Sequence, residues 1–599
     1  MAADSRRIIS VFIFLLFAAL TSTTPAPARA QDQQQRPNFI VIVADDLGFS
    51  DVGAYGGEIR TPNIDRLANE GLRFVNYYVG PTCSPTRSML MTGLDNHVVG
   101  MGNMYERTAP NQLDQPGYEG VLRTDFSTIA EALFAGGYHT YMAGKWHLGK
   151  DPEHIPAARG FERSFSILPG GGSHFDFTGI SSEEEVTQFN ADGEYLTRLP
   201  RDYYSTRTFT DQIIEYIESN RSDGRPFFAY LAHQAVHDPI QVPNDWVRRY
   251  FGAYDDGWDE TRERRLARQI EMGIMPEGAQ LSPRVWFVPR WEDLTGIAQA
   301  QTARRMEVYA AMVEYMDMEI GRLLDYLERS GLAENTIIIF MSDNGANPVD
   351  PLQSARRGAG ALIESNFYAT NYETDFSAMG YPDSFTAVGT PWAQVSSTPL
   401  NGFKLTTFEG GVRSPLIVWR RDLPGAGSIN TADILHVSDI APTLLDWAGL
   451  SPAEFNPLRE TGIQRGRSVR AVFDDPANSG MFTAPRGAEL FGGRAYRDGP
   501  WKITWMHEPY GTGDWQLFNL DEDPGETTDL SAAMPERRAS MIAAWEAYAE
   551  ANNVILPDRT IYDGAVRGTP PRPPIDSPDW PRGAEPNYGA SEDHGARVD

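Results

Sequence analysis

A single cysteine, Cys83, stands in 599 residues. No internal disulfide is possible, so stability must come from a buried core and not from covalent staples. Long apolar runs are equally scarce. Beyond the N-terminus none approaches the ~18 uninterrupted residues of a membrane-spanning helix. Positive charge is also short: 52 Lys and Arg face 81 Asp and Glu, for a formal charge of −29. That balance argues against a nucleic-acid surface, which needs a basic footprint. It leaves room for a locally positive site that takes an anion. Internal repeats are absent. The 41% of hydrophobic residues is ordinary for a globular chain and selects no function.

What the N-terminus contains reads as an export signal. Arg6-Arg7 is followed by an apolar run from Ile8 to Leu20 and by the small-residue site Ala28-Arg29-Ala30. The run is short for a membrane span, and an uncleaved anchor is the competing reading. Residues 1–30 are therefore expected to be a signal peptide and the mature chain to be periplasmic or secreted, with no membrane contact after cleavage.

Four β-branched or aromatic runs follow the pattern of strands buried on both faces: Asn38 to Val43, Tyr138 to Met142, Pro226 to Leu231 and Thr336 to Met341. Ser414 to Trp419 is a fifth. Helical spacing spans Thr61 to Glu70, Ser127 to Leu133, Phe209 to Ile217, Val437 to Ala448 and, longest of all, Ala303 to Leu327, which carries Met306, Tyr309, Val313, Met316, Ile320 and Leu324 on one stripe. The alternation predicts an α/β fold with a large, mostly parallel sheet between helices. Residues 156–200 read as loop with short strands, 241–300 as an irregular, Trp- and Arg-rich excursion over the surface, and 346–403 as a long polar loop with little period, of the kind that is functional or disordered. Beyond about 460 the pattern changes to antiparallel strands, with a turn at Asp498-Gly499, and a helix from Met534 to Ala549. The expected division is a catalytic domain over 31–460, a smaller C-terminal subdomain over 461–555, and a Pro-rich acidic tail over 556–599.

Polar groups sit where the apolar strands stop. Asp45-Asp46, Lys145 with His147, His233 with His237, and Asp343-Asn344 each follow a different strand. Ligand sites of open α/β sheets lie at the carboxyl ends of strands, so these groups can share one edge. Three carboxylates packed together would repel one another unless a cation sat among them. Ligation by oxygen alone points to calcium or magnesium and away from zinc. Asp-Asp and Asp-Asn-Gly alone are usually solvated turns. Lys404 alone reads as a surface charge, and His147 beside Trp146 as a core histidine. His237 precedes Asp238-Pro239 in a rigid turn, whereas His233 lies nearer the strand and suits a structural place. Cys83 falls just before an expected helix start, with Ser84 as cap, Pro85 in the first turn, Arg87 one turn in and Gly93 as the stop. Free N–H groups there favour an anion, although a lone cysteine is by default a small buried hydrophobe.

Cys83-Ser84-Pro85-Thr86-Arg87, closed by Thr92-Gly93, resembles the sulfatase signature Cys-x-Pro-x-Arg. Residues 137–149 resemble the second sulfatase signature, and 38–48, 341–345 and 403–415 match the same family in the same order. The likeness covers almost the whole mature chain and is greatest to bacterial, Pseudomonas-type arylsulfatases. It implies an alkaline-phosphatase-like core with a small antiparallel-sheet C-terminal domain, and hydrolysis of sulfate esters. It implies that a maturation enzyme oxidises Cys83 to formylglycine, whose hydrate is the nucleophile. Asp45, Asp46, Asp343 and Asn344 would hold calcium together with residue 83. Arg87 would steady the formylglycine, and Lys145 and Lys404 would bind sulfate oxygens. His237 would act on the leaving-group side and His147 would take the proton of the second hydroxyl. His174 is a further candidate for the substrate pocket. A phosphoryl or phosphonate hydrolase on the same core is the alternative activity, and a non-catalytic binder of sulfated ligands is the alternative of another class. The substrate is expected to be a small sulfate ester whose alcohol part the sequence leaves open.

Overall fold

The apolar run after residue 37 becomes β1 (Asn38–Ala44), buried along its whole length. Its alternate side chains enter two different cores. Ile40, Ile42 and Ala44 pack on one face, and Phe39, Val41 and Val43 on the other. That is why the run lacks the apolar–polar alternation of a half-exposed strand. The chain is described from a computed structural model, over residues 36–354, 361–458, 462–559 and 561. The expected signal peptide (1–30) lies outside the described residues, as does all but the start of the expected acidic tail. No helix of the described residues is long and apolar enough to cross a membrane.

Around β1 the main sheet is built from β2 (Leu72–Tyr78), β3 (His139–Lys145), β4 (Arg163–Ile167), β5 (Phe227–Ala232), β6 (Thr336–Ser342) and β7 (Arg413–Arg420). Their order is β2-β7-β6-β1-β5-β3-β4, with short strands extending both edges to eleven. The four strands β6, β1, β5 and β3 are adjacent and parallel, while β7 runs antiparallel between β6 and β2. The sheet is thus mixed and mostly parallel at its centre. All four chain exits that carry the polar groups face one edge.

Helices cover both faces. The 35-residue helix Gly296–Ser330 lays Met306, Tyr309, Val313, Met316 and Ile320 on the first core, and the Cys83 helix packs Met89, Leu90 and Met91 into the second. A second, four-stranded antiparallel sheet follows in simple order, from β8 (Arg486–Leu490) through β9 (Gly493–Asp498) and β10 (Trp501–Trp505) to β11 (Trp515–Asn519). The helix Pro535–Ala551 sets Met541, Trp545 and Tyr548 on Ile503 and Leu517 of this sheet.

Three sequence expectations change. The aperiodic stretch 241–300 contains the helix Gly257–Glu271, and 346–403 contains Ala361–Asn371 and Thr390–Ser396. The first of these is Arg- and Glu-rich, and it buries Trp258, Thr261, Arg262, Arg265 and Gln269, so no apolar stripe announced it. The Cys83 helix begins at Cys83 itself, with Thr82 at its cap position. Pro85 is then in the first turn, where its missing N–H costs nothing.

Candidate active site

Strand β3 ends on Lys145, and the residue before it explains how the strand reaches its neighbour. Gly144 has φ 123°, and a Cβ there would fall 1.8 Å from the Ala232 carbonyl of β5, so only glycine lets the two strands close at this edge. Lys145 is thereby held fully buried with Nζ donating to Asp45 Oδ2 at 2.6 Å. Asp45 is tied to the exit of β5 by its own N–H to Ala235 O and by Val236 N–H to its carbonyl. Asp46 adopts a left-handed backbone, φ 63°, a conformation that costs an Asp about 1–2 kcal/mol. Its N–H points to Asp343 Oδ1 at 3.3 Å.

The other groups close around this pair. Lys404 Nζ lies 2.7 and 2.9 Å from the two Asp46 oxygens. Asn344 Nδ2 donates to Asp46 Oδ1 at 2.6 Å, and its Oδ1 is buried without a partner. Arg87 donates Nε–H and Nη2–H to Asp343 Oδ2 at 3.0 and 2.7 Å, and Nη1–H to the Lys145 carbonyl at 2.7 Å. Cys83 Sγ is 3.4 Å from Asp45 Oδ1 and 4.0 Å from Asp46 Oδ1. Ligand atoms of Asp45, Asp46, Cys83 and Asp343 all fall within 4.8 Å of one another.

The histidines separate by position. His237 faces the cluster, with Nε2 3.6 Å from Asp46 Oδ2 and Nδ1 2.6 Å from the Asp238 carbonyl. His233 is fully buried with neither ring nitrogen bonded. His174 is also fully buried: Nδ1 meets Ser205 Oγ at 2.6 Å, and Nε2 lies 3.2 Å from the His237 carbonyl. It backs His237 and does not open on the cluster. His147 stands on the Lys145 side, 3.5 Å from Glu106 Oε1. Sequence reading missed Glu106. It sits in an aperiodic stretch with nothing to mark it, and only the fold brings it to His147.

Residues 37–450 match the family described as Sulfatase. The chain belongs to the sulfatase family. An arylsulfatase of Klebsiella aerogenes is 38% identical over 441 residues, covering 73% of this chain and 91% of the relative. An uncharacterized sulfatase of Schizosaccharomyces pombe is 37% identical over 545 residues, covering 88% and 96%. The solved structure of Ps i-CgsB in complex with k-i-k-neocarrahexaose covers 89% of this chain and 96% of its own, with TM-score 0.60 at 24% identity. The phosphonate monoester hydrolase of Agrobacterium radiobacter shares the fold at TM-score 0.51 and 18% identity, covering 86% and 96%. The architecture is the alkaline-phosphatase-like core with a small antiparallel C-terminal sheet, and the protein is a sulfuric-ester hydrolase.

In this sulfatase the buried charges are strained against one another. Burial pushes Asp45 up to about 6 against the pull of Lys145, with Asp343 and Asp46 adding to the rise. Burial acts on Asp46 too, but Lys404, His237 and Lys145 hold it down at about 2. Burial also pushes the Cys83 thiol up, so the unmodified side chain is a protonated, weak nucleophile. Crowded carboxylates beside the unpaired oxygen of Asn344 form a donor set suited to a hard divalent cation.

Proposed function

We propose that this chain is an exported hydrolase of the arylsulfatase type that works through a formylglycine at position 83 and a bound calcium ion. The observation that carries this reading is the placement of Cys83 Sγ 3.4 Å from Asp45 Oδ1, inside a ring of three buried carboxylates. A thiol held protonated there has no evident use, whereas a hydrated aldehyde would offer one hydroxyl to attack sulfur and a second whose deprotonation expels sulfate. Asp45, Asp46, Asp343 and Asn344 would hold the cation, which would polarise the sulfate and favour the ionised nucleophile.

The chain's own side chains supply the rest. Arg87 fixes Asp343 and the Lys145 carbonyl with one planar fork. Lys145 and Lys404, buried and paired with Asp45 and Asp46, are the cations that would bind sulfate oxygens. His237 donates Nδ1–H to the Asp238 carbonyl, so Nε2 holds a proton for the departing oxygen only in the imidazolium form, charged beside Asp46. His147 takes the proton of the second hydroxyl. A maturation enzyme must act on Cys83, and the matured protein acts in the periplasm or outside the cell.

Mass spectrometry of the residue-83 peptide, from protein made in its native host, tests the modification. A loss of about 18 Da relative to cysteine, the change on replacing CH2SH by CHO, is the expected result, and an unmodified thiol overturns the reading. Matched aryl sulfate and aryl phosphate esters, assayed with calcium and after chelation, test the reaction. Faster phosphate turnover, or sulfatase activity indifferent to chelation, counts against it.

A further inference from the structure

His147 is held by its backbone and by a space left for its ring. It adopts φ 58° two residues beyond Lys145. A Cβ on Gly170 would lie 2.9 Å from the His147 Cε1 and 3.0 Å from Nε2, so the missing side chain is what admits the imidazole. The ring is buried, and neither nitrogen has a hydrogen-bond partner within the chain. Among the described residues, the carboxylate within ion-pair reach is that of Glu106, Oε1 to Nε2 3.5 Å. Glu106 comes from the short turn Tyr105–Arg107, and its Oε2 is buried and unpartnered as well. Burial opposes its charge, yet His147 and then Lys150 hold the carboxyl down at about 2. Burial lowers the basicity of the imidazole against the pull of Glu106, and the charges of Lys145 and Arg87 add to the drop.

We propose that Glu106 is a positioning residue of the sulfatase reaction, holding His147 with Nε2–H toward Oε1 so that Nδ1 presents the free lone pair. Partnering one imidazole nitrogen with an acceptor selects the tautomer at the other. A proton then passes from the free hydroxyl of the sulfated diol at position 83 to Nδ1, that oxygen's electron pair closes the aldehyde C=O, and the carbon–oxygen bond to sulfate breaks. The resulting imidazolium is balanced by Glu106, which stays ionised throughout, and the proton returns to water after sulfate leaves. The proposal rests on the reading of His147 as the base.

A double-mutant cycle on the matured enzyme with an aryl sulfate separates the two. Glu106→Gln is expected to lower kcat about ten- to a hundredfold, the usual cost of losing a histidine's carboxylate partner. KM should change less than about twofold, since the interaction acts on the proton step. Glu106→Asp, which keeps the charge, should recover most of kcat. In a His147→Asn background the same Glu106→Gln change should cost less than about twofold, because the two groups act as one unit. Wild-type kcat in His147→Asn alone overturns the role of His147 and the proposal with it. An impaired His147→Asn, with Glu106→Gln either harmless in the wild type or equally costly in both backgrounds, overturns the role of Glu106 alone. Glu106→Ala enters the same cycle, and melting curves check that each variant is folded.

Discussion

At the scale of single residues, the site depends on geometry that charge alone does not supply. Arg87 reaches two acceptors from different strand ends, Asp343 Oδ2 and the Lys145 carbonyl, with a rigid fork. A lysine offers one flexible ammonium. Arg87→Lys should therefore lower kcat/KM by about ten- to a hundredfold, a typical loss when the group orienting an active site is mismatched. A variant as active as the wild type would refute the assigned role. Asn344 contributes a buried oxygen with no partner in the chain. Asn344→Leu removes that donor, and calorimetry should find binding of the proposed calcium weakened at least about tenfold. Asp45, Asp46, Asp343, Lys145 and His237 could be singled out because each follows an apolar strand. Glu106 could not, since a carboxylate in an aperiodic stretch looks like any solvated one.

At the scale of elements, the loop that carries Lys404 is clamped from three directions. Lys404 N–H bonds the Ala346 carbonyl just past Asn344, and Leu405 N–H, on a backbone with φ 74°, bonds the Pro81 carbonyl just before Cys83. Thr407 Oγ1 meets Thr504 Oγ1 of β10 at 2.9 Å. Behind the loop, Lys502 of β10 lies 2.8 Å from Glu409 Oε1 and 2.9 Å from Glu526 Oε1, all three buried. The C-terminal sheet is thus part of the active-site support. Lys502→Met leaves buried Glu526 without its cation and Glu409 with Arg413 alone, and should cost about 3–5 kcal/mol in denaturant unfolding. Burial already pushes Glu526 up to about 7 with Lys502 beside it, so the penalty should shrink as pH falls and that carboxyl takes a proton. A pH-independent penalty would mean that lost packing, not lost charge, is responsible. The strands β9–β11 and their turn were legible from period and Gly499, whereas β8 was not. The Lys502–Glu409 pairing spans 93 residues, and no local pattern encodes it.

At the scale of the whole molecule, two linkages tie stability to solution conditions. The proposed calcium, bound among three carboxylates, would stabilise the folded state by mass action, about 3 kcal/mol at a concentration a hundredfold above Kd. Chelation should lower the melting temperature, and an unchanged one would argue against a resident ion. The second linkage is His97, just past the Cys83 helix. Its Nδ1 is 2.8 Å from Asp95 Oδ1 and its Nε2 3.1 Å from Glu489 Oε2 of β8, while Tyr548 of the C-terminal helix donates to Asp95 Oδ2. Burial opposes the charge, but the two carboxylates outweigh it and hold His97 up at about 9 instead of 6.5. The folded value lies above the unfolded one, so the stabilisation is complete below pH about 6.5 and disappears as pH rises through about 9. Its size is on the order of 3 kcal/mol. Unfolding free energies measured from pH 6 to 10 should fall accordingly, and His97→Gln should flatten that slope; an unchanged slope would assign the pH dependence elsewhere. By itself the sequence determined the sheet, because strands buried on both faces need unbroken apolar runs. It also determined the sulfatase motifs, because their groups lie within a few residues of strand ends. Only the tertiary structure decided which carboxylate faces His147 and what holds Lys404 in place. Those contacts join residues far apart in the chain, and their energies come from burial and distance, which no local spacing records.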